Sequence, residues 1–140
     1  MSEAVREIPK KQRREFRNIH ITELSNYRMP LASVVSILHR ISGFIMFLGL
    51  PLVLYMLQQS LLSEDTFKYF AGIASHPLAK LVILGLAWSY FQHFCGGVRH
   101  LVMDLHIGLG KDSARQTSVG VLSASLLLTF LTALKLFGVF

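Results

Sequence analysis

Two short strings in this 140-residue chain hold most of the side chains that could do chemistry. One is "HFCGGVRHLVMDLH", residues 93 to 106, and the other is "SILHRISG", residues 36 to 43. Both lie in stretches otherwise apolar enough for a membrane. On a helix, positions i, i+3, i+4, i+7 and i+11 share a face. That places His93, Gly96, Gly97, His100 and Asp104 on one stripe, and Ser36, His39, Arg40 and Gly43 on another. Polar groups inside a bilayer are costly, so they face a partner, a cofactor or water.

The first stripe is graded by depth. At about 1.5 Å per residue, His93 lies about 15 Å inward from Asp104, near mid-membrane, with His100 and Asp104 near the surface. This suits haem b, which needs a neutral imidazole aimed at iron within an apolar pocket. A glycine one turn away leaves room for the macrocycle, and cationic or hydrogen-bonding groups toward the water suit the propionates. His93 is therefore the candidate axial ligand and sole metal ligand, and His39, Arg40, Arg99 and His100 are candidates for the propionate end. The competing reading is a histidine hydrogen-bonded between helices, with Gly96 and Gly97 serving close packing. The chain offers one well-placed deep histidine. A six-coordinate haem would take its second ligand from another subunit, and three helices are a thin enclosure. Both points predict a partner membrane chain.

The second stripe clusters at the membrane entrance. A hydroxyl at Ser36 and a cation at Arg40 could form the polar head of a quinone pocket, with Arg40 stabilising the reduced, anionic oxygen. The alternative is Arg40 reaching lipid phosphates while Ser36 bonds back to its own helix. Cys95 reads as a packing residue. Trp88, Tyr90 and Phe91 read as packing against lipid or partner helices. Tyr69, Phe70 and His76 read as interface anchors, Lys135 as reaching outward, and His20 and His106 as surface residues. There is no hydrolytic triad, carboxylate pair or phosphate loop, and hence no catalytic residue is assigned.

The elements that hold these stripes follow from composition. The chain is 52% hydrophobic and 16% charged, with mean hydropathy +0.49, too apolar for an ordinary soluble domain. A single cysteine excludes an internal disulfide framework and a cysteine-ligated zinc or iron–sulfur site. The net charge of +6 is concentrated, with seven of 14 Lys/Arg before residue 30. With only Phe16 among those charges, a membrane flank is a better reading than a nucleic-acid arm. The basic start lacks the layout of a cleavable signal peptide, and Glu3, Glu7 and Glu15 argue against a mitochondrial presequence.

Three segments are long enough to span a bilayer: about 34–57, 78–103 and 117–140. The fold class is therefore an all-α membrane protein, with a basic arm over 1–30 and a three-helix transmembrane domain over 31–140. Residues 18–30 read as a lead-in along the membrane surface that turns at Pro30. Pro51 is tolerable within the first span. The 58–77 connection predicts a short helix capped by Ser63 and ending near Ala71. In the 104–116 connection, Gly108 and Gly110 act as breakers. Lys/Arg counts put the N-terminus and the 104–116 loop in the cytoplasm (the matrix, if mitochondrial) and the C-terminus on the opposite side.

Together the two strings resemble one family. "SILHRISG" is similar to the Ser-x-x-His-Arg-x-Ser/Thr-Gly motif, and "HFCGGVRHLVMD" to the His-x-x-x-Gly-x-Arg-His-x-x-x-Asp motif, of the cytochrome b subunit of succinate dehydrogenase, the large membrane anchor of respiratory complex II. The resemblance runs from about residue 18 to the C-terminus. It implies that His93 is an axial ligand of one haem b shared with a second, smaller membrane anchor subunit. It implies that Ser36 and Arg40 belong to a ubiquinone site completed by the iron–sulfur subunit and the second anchor. His39, Arg40 and His100 match the propionate region. Electrons would come from succinate through a flavoprotein subunit and the iron–sulfur subunit to quinone, and this chain would not touch succinate. It further implies a bacterial inner membrane protein, surrounded by membrane lipid, with no nucleic-acid partner. Two departures stand out. The arm reads Arg17-Asn18-Ile19 where the family often has Arg-Pro, and His106 stands where it often has Gly. Two other functions compete: a haem-free anchor of a fumarate reductase, and a small transporter or channel subunit. The first would lack a haem absorption band. Against the second, there is no inverted repeat, and the charges cluster on one side.

Overall fold

The computed structural model describes Thr22 and residues 27–139. Most of the basic arm, with His20 and the Arg17-Asn18-Ile19 string, lies outside the described residues, as does Phe140. The described chain is all-helical: α1 (Leu31–Ser60), α2 (Glu64–Ser75), α3 (Pro77–Asp104) and α4 (Lys111–Leu136). Three of these, α1, α3 and α4, are long and apolar enough to cross a membrane.

The helix limits follow local chemistry more closely than the hydrophobic runs that predicted them. α1 starts immediately after Pro30 rather than at residue 34, because Pro30 holds an extended backbone (φ −64°, ψ 148°) from which the helix departs. It continues through Pro51 to Ser60. α2 opens with a reciprocal cap, in which the Thr66 amide donates to Ser63 Oγ and the Ser63 amide donates to Thr66 Oγ1, both at 3.2 Å. It runs to Ser75 rather than Ala71. What stops it is Pro77, which forces His76 into an extended backbone (ψ 137°). Pro77 then supplies the first residue of α3, and His76 Nδ1 accepts from the Leu78 amide at 3.3 Å. His76 is thus a helix cap, a role its reading as an interface anchor did not include.

α4 begins at Lys111, six residues before the expected apolar stretch, since Gly110 is the breaker and the polar first turn is still helical. It ends at Leu136 because Gly138 (φ 76°) turns the chain back, its amide donating to the Lys135 carbonyl and that of Val139 to the Leu134 carbonyl. The same pattern ends α3. His106 (φ 61°) takes the left-handed position, with its amide on the Met103 carbonyl and that of Ile107 on the Val102 carbonyl. His106 departs from the Gly that the resemblance led one to expect, and the backbone turn that suits Gly is present here with a histidine in it.

α3 lies between α1 and α4 and packs extensively against both, while α1 and α4 touch each other less. α1 and α3 are antiparallel, as are α3 and α4. The start of α1, the end of α3 and the start of α4 therefore share one end of the bundle. Burial is the reverse of a water-soluble core. Among the described residues only Val35 and Val121 are buried apolar side chains, whereas Ser42, Ser89, Gln92, Arg99, Ser118 and Ser125 are buried. Large apolar side chains such as Phe47 (71% exposed) and Leu101 (67%) face outward. Small polar residues between helices with apolar groups outside are the arrangement a lipid surround favours.

Candidate functional site at the α1–α3 groove

The site is built where "SILHRISG" on α1 meets "HFCGGVRH" on α3. The His39 and His93 rings stack with centroids 4.1 Å apart and planes 10° from parallel. His100 meets the other side of the cluster, its ring 5.0 Å from that of His39 at 62°. His93 Nδ1 lies 3.0 Å from the backbone carbonyl of His39. A carbonyl can only accept, so Nδ1 carries a proton, and in the neutral ring Nε2 then keeps its lone pair. Nε2 has no hydrogen-bond partner among the described residues, which leaves it free to bind a metal. One imidazole nitrogen tied to a carbonyl with the other presented is the usual state of a metal-binding histidine.

Glycines make the approach of the two helices possible. A Cβ on Gly43 would stand 2.8 Å from His93 Cε1, and one on Gly96 would stand 2.9 Å from His39 Cδ2. Gly97 is less constrained, its nearest contact being His39 Nε2 at 3.6 Å. Ser42 Oγ donates to the His39 carbonyl at 2.9 Å. That carbonyl is thus shared between Ser42 and His93.

Toward the end of the bundle the groove opens. Ser36, Arg40, Arg99 and His100 line a cavity of about 370 Å³ with Ser33 and Met103. Arg40 is exposed there and forms no ion pair among the described residues. Arg99 is only 6% exposed, and its Nε donates to Thr117 Oγ1 on α4 at 3.1 Å. A hydroxyl and a guanidinium facing one small cavity can hold a carbonyl oxygen and stabilise negative charge on it.

The structure thus brings together Ser36, Arg40, Arg99 and His100, and joins them through His39 to His93. Asp104 ends α3 exposed and takes no part in the cluster. The His39 ring stacks on that of His93 and meets that of His100 edge-on.

One polar layer escaped the sequence reading. Ser125 Oγ donates to Gln92 Oε1 at 2.8 Å across α3 and α4, both residues fully buried, and Gln92 Nε2 has no hydrogen-bond partner among the described residues. The signal was in the pattern: Ser89, Gln92, Gly96 and Arg99 recur at helical spacing, as do Ser118, Val121 and Ser125.

Comparison with known proteins bears on this geometry. Residues 14–132 match the model of the succinate dehydrogenase/fumarate reductase transmembrane subunit family. The succinate dehydrogenase cytochrome b556 subunit of Paracoccus denitrificans is 30% identical over 114 residues, 81% of this chain and 88% of that protein. That of Rickettsia felis is 29% identical over 77% of this chain and 84% of its own length. That of Coxiella burnetii is 34% identical over 59% and 67%. With both motif strings inside the matched region, the chain belongs to the succinate dehydrogenase/fumarate reductase transmembrane subunit family.

Proposed function

We propose that this chain is the haem b- and quinone-binding anchor of a bacterial inner-membrane succinate:quinone oxidoreductase. The observation that carries the haem assignment is His93: a half-buried imidazole whose Nδ1 is held by the His39 carbonyl while Nε2 has no hydrogen-bond partner among the described residues. The space at Gly43 is filled by the His93 ring and that at Gly96 by the His39 ring, so these glycines seat the two imidazoles rather than a macrocycle, while relatives named cytochrome b556 support a b-type haem. When bound, haem supplies a one-electron reservoir within the membrane. His93 would ligate its iron, and the second anchor subunit would supply a further histidine ligand. His39, Arg40 and His100 would hold the propionate end, where cationic and hydrogen-bonding groups offset carboxylate charge.

Ser36 and Arg40 carry the quinone assignment. Ser36 would donate a hydrogen bond to one quinone oxygen. Arg40 would stabilise the negative charge that builds there as two electrons arrive from the iron–sulfur subunit, and two protons from the aqueous side complete the quinol. Arg99, buried and fixed to Thr117, adds a second cation that cannot swing away. The flavoprotein subunit would oxidise succinate, and this chain would make no contact with it. By the distribution of Lys and Arg, the end bearing this groove faces the cytoplasm.

The test is a reduced-minus-oxidised visible spectrum of the purified complex after adding succinate. A b-type band is expected in the wild type and its loss in His93→Ala, with flavoprotein and iron–sulfur subunits still co-purifying. A normal band in His93→Ala would refute the ligand assignment. Absence of a band in the wild type with the same partners present would make this a haem-free anchor.

A further inference from the structure

A second cavity, of about 540 Å³, opens at the same end of the bundle but in the groove between α1 and α4, away from the histidine cluster. Arg28, Lys111 and Arg115 line it with one acidic residue, Asp112, and its walls include Leu31 and Ala114. All four charged residues are exposed, and none of them forms an ion pair among the described residues. Three cations against one anion make a net positive bowl. It sits at the first turns of two helices long and apolar enough to cross a membrane.

We propose that this bowl binds the headgroup of an anionic phospholipid, with the root of its acyl chains against Leu31 and Ala114. Charge complementarity selects an anion, and the apolar wall selects an amphiphile over a free ion. The commitment to lipid rests on the proposed function above: there the α1–α3 groove holds quinone and haem and meets the other subunits, which leaves the α1–α4 groove to the bilayer. A juxtamembrane basic side chain favours an anionic lipid about fivefold at a membrane surface. Three, opposed by Asp112, give a preference of about tenfold or more.

The experiment is native mass spectrometry of the assembled complex in detergent, incubated with equal amounts of phosphatidylglycerol and phosphatidylcholine. The visible haem spectrum is recorded on the same sample. The wild type is expected to retain a phosphatidylglycerol at least tenfold over phosphatidylcholine. The triple variant Arg28→Gln/Lys111→Gln/Arg115→Gln is expected to show a preference within twofold of unity, while Lys135→Gln at the opposite end matches the wild type. Undiminished preference in the triple variant, or none in the wild type, overturns the proposal. So does displacement of the wild-type lipid by an equal concentration of inorganic phosphate, which would mark a free-anion site. Loss of the iron–sulfur and flavoprotein subunits from the triple variant would make the patch their docking face and also overturn it. A missing haem band alongside intact lipid selectivity would count against the proposed function and leave the lipid site standing.

Discussion

Gly43→Ala is the sharpest perturbation of the site, because its consequence is confined to one ring. The new methyl carbon would stand 2.8 Å from His93 Cε1 and 3.0 Å from Nδ1. Carbon atoms rest at about 3.5–4.0 Å, so the ring must retreat by roughly 0.7 Å or more. Its Nδ1 starts 3.0 Å from the His39 carbonyl, and a retreat of that size stretches the bond beyond useful length. The lost hydrogen bond costs about 0.5–1.5 kcal/mol, and overpacking adds about 1–3 kcal/mol. Together they shift the balance between the held and displaced imidazole by about 1.5–4.5 kcal/mol, roughly tenfold or more. Haem content per purified complex, with the shape of the reduced-minus-oxidised band, reads this out. Gly43→Ala should bind substoichiometric haem or give a shifted band. Gly97→Ala, whose Cβ meets His39 Nε2 at an ordinary 3.6 Å, should retain full haem, as should Gly120→Ala, which points into open space. Full haem in Gly43→Ala, or loss in Gly97→Ala with Gly43→Ala intact, would refute the reasoning.

Other consequences are equally direct. Arg40→Leu removes a charge-assisted contact of about 1.5–3 kcal/mol. It should slow quinone reduction tenfold or more while succinate oxidation by an artificial dye stays within about twofold. Equal loss of both would point to failed assembly instead. At the α3 terminus, His106 occupies a left-handed backbone (φ 61°) that costs about 1–2 kcal/mol for most residues. Thermal midpoints in detergent should therefore rank His106→Gly at or above the wild type and His106→Val below it, and a valine variant as stable as the wild type would contradict the strain. Gln92→Leu removes an unsatisfied Nε2 and leaves Ser125 Oγ its bond to the Leu122 carbonyl at 3.1 Å. The change should stay within about 1 kcal/mol, whereas Gln92→Glu buries a charge and should cost several kcal/mol. If the leucine variant proved the worse of the two, the buried amide would have a partner beyond the described residues.

Much of the molecule was legible without coordinates. Three spans could be counted because about 20 apolar residues per crossing is a requirement of bilayer thickness, and that requirement is written in composition. Ser63 as a cap was legible because capping acts over three residues. The two stripes on α1 and α3 were legible because helical periodicity alone puts His93 beside Gly96, Gly97 and His100, and Ser36 beside Arg40. The two motif strings carried the family. Helix ends were less legible: Pro77 and Gly110 set boundaries that hydropathy blurred by several residues, since a polar turn such as Lys111–Gln116 is helical without being apolar.

What remained for tertiary structure was everything that depends on how two helices meet. His39 and His93 were both readable as candidates for one haem, but nothing local put their rings in contact, as they lie 54 positions apart. The stack between them, the carbonyl that fixes the His93 tautomer and the collision a Cβ at Gly43 would cause all require the register of α1 against α3. Arg99 shows the same limit. Depth along the helix offered it to a propionate pocket, while packing against α4 buries it and turns its Nε to Thr117. Gln92 and Ser125 were readable as polar residues on apolar helices, but pairing them needs the angular position of α4. The physical reason is one of range: propensity, capping and periodicity act within a few residues of the chain, whereas interhelical contact is selected by the summed packing of whole helices.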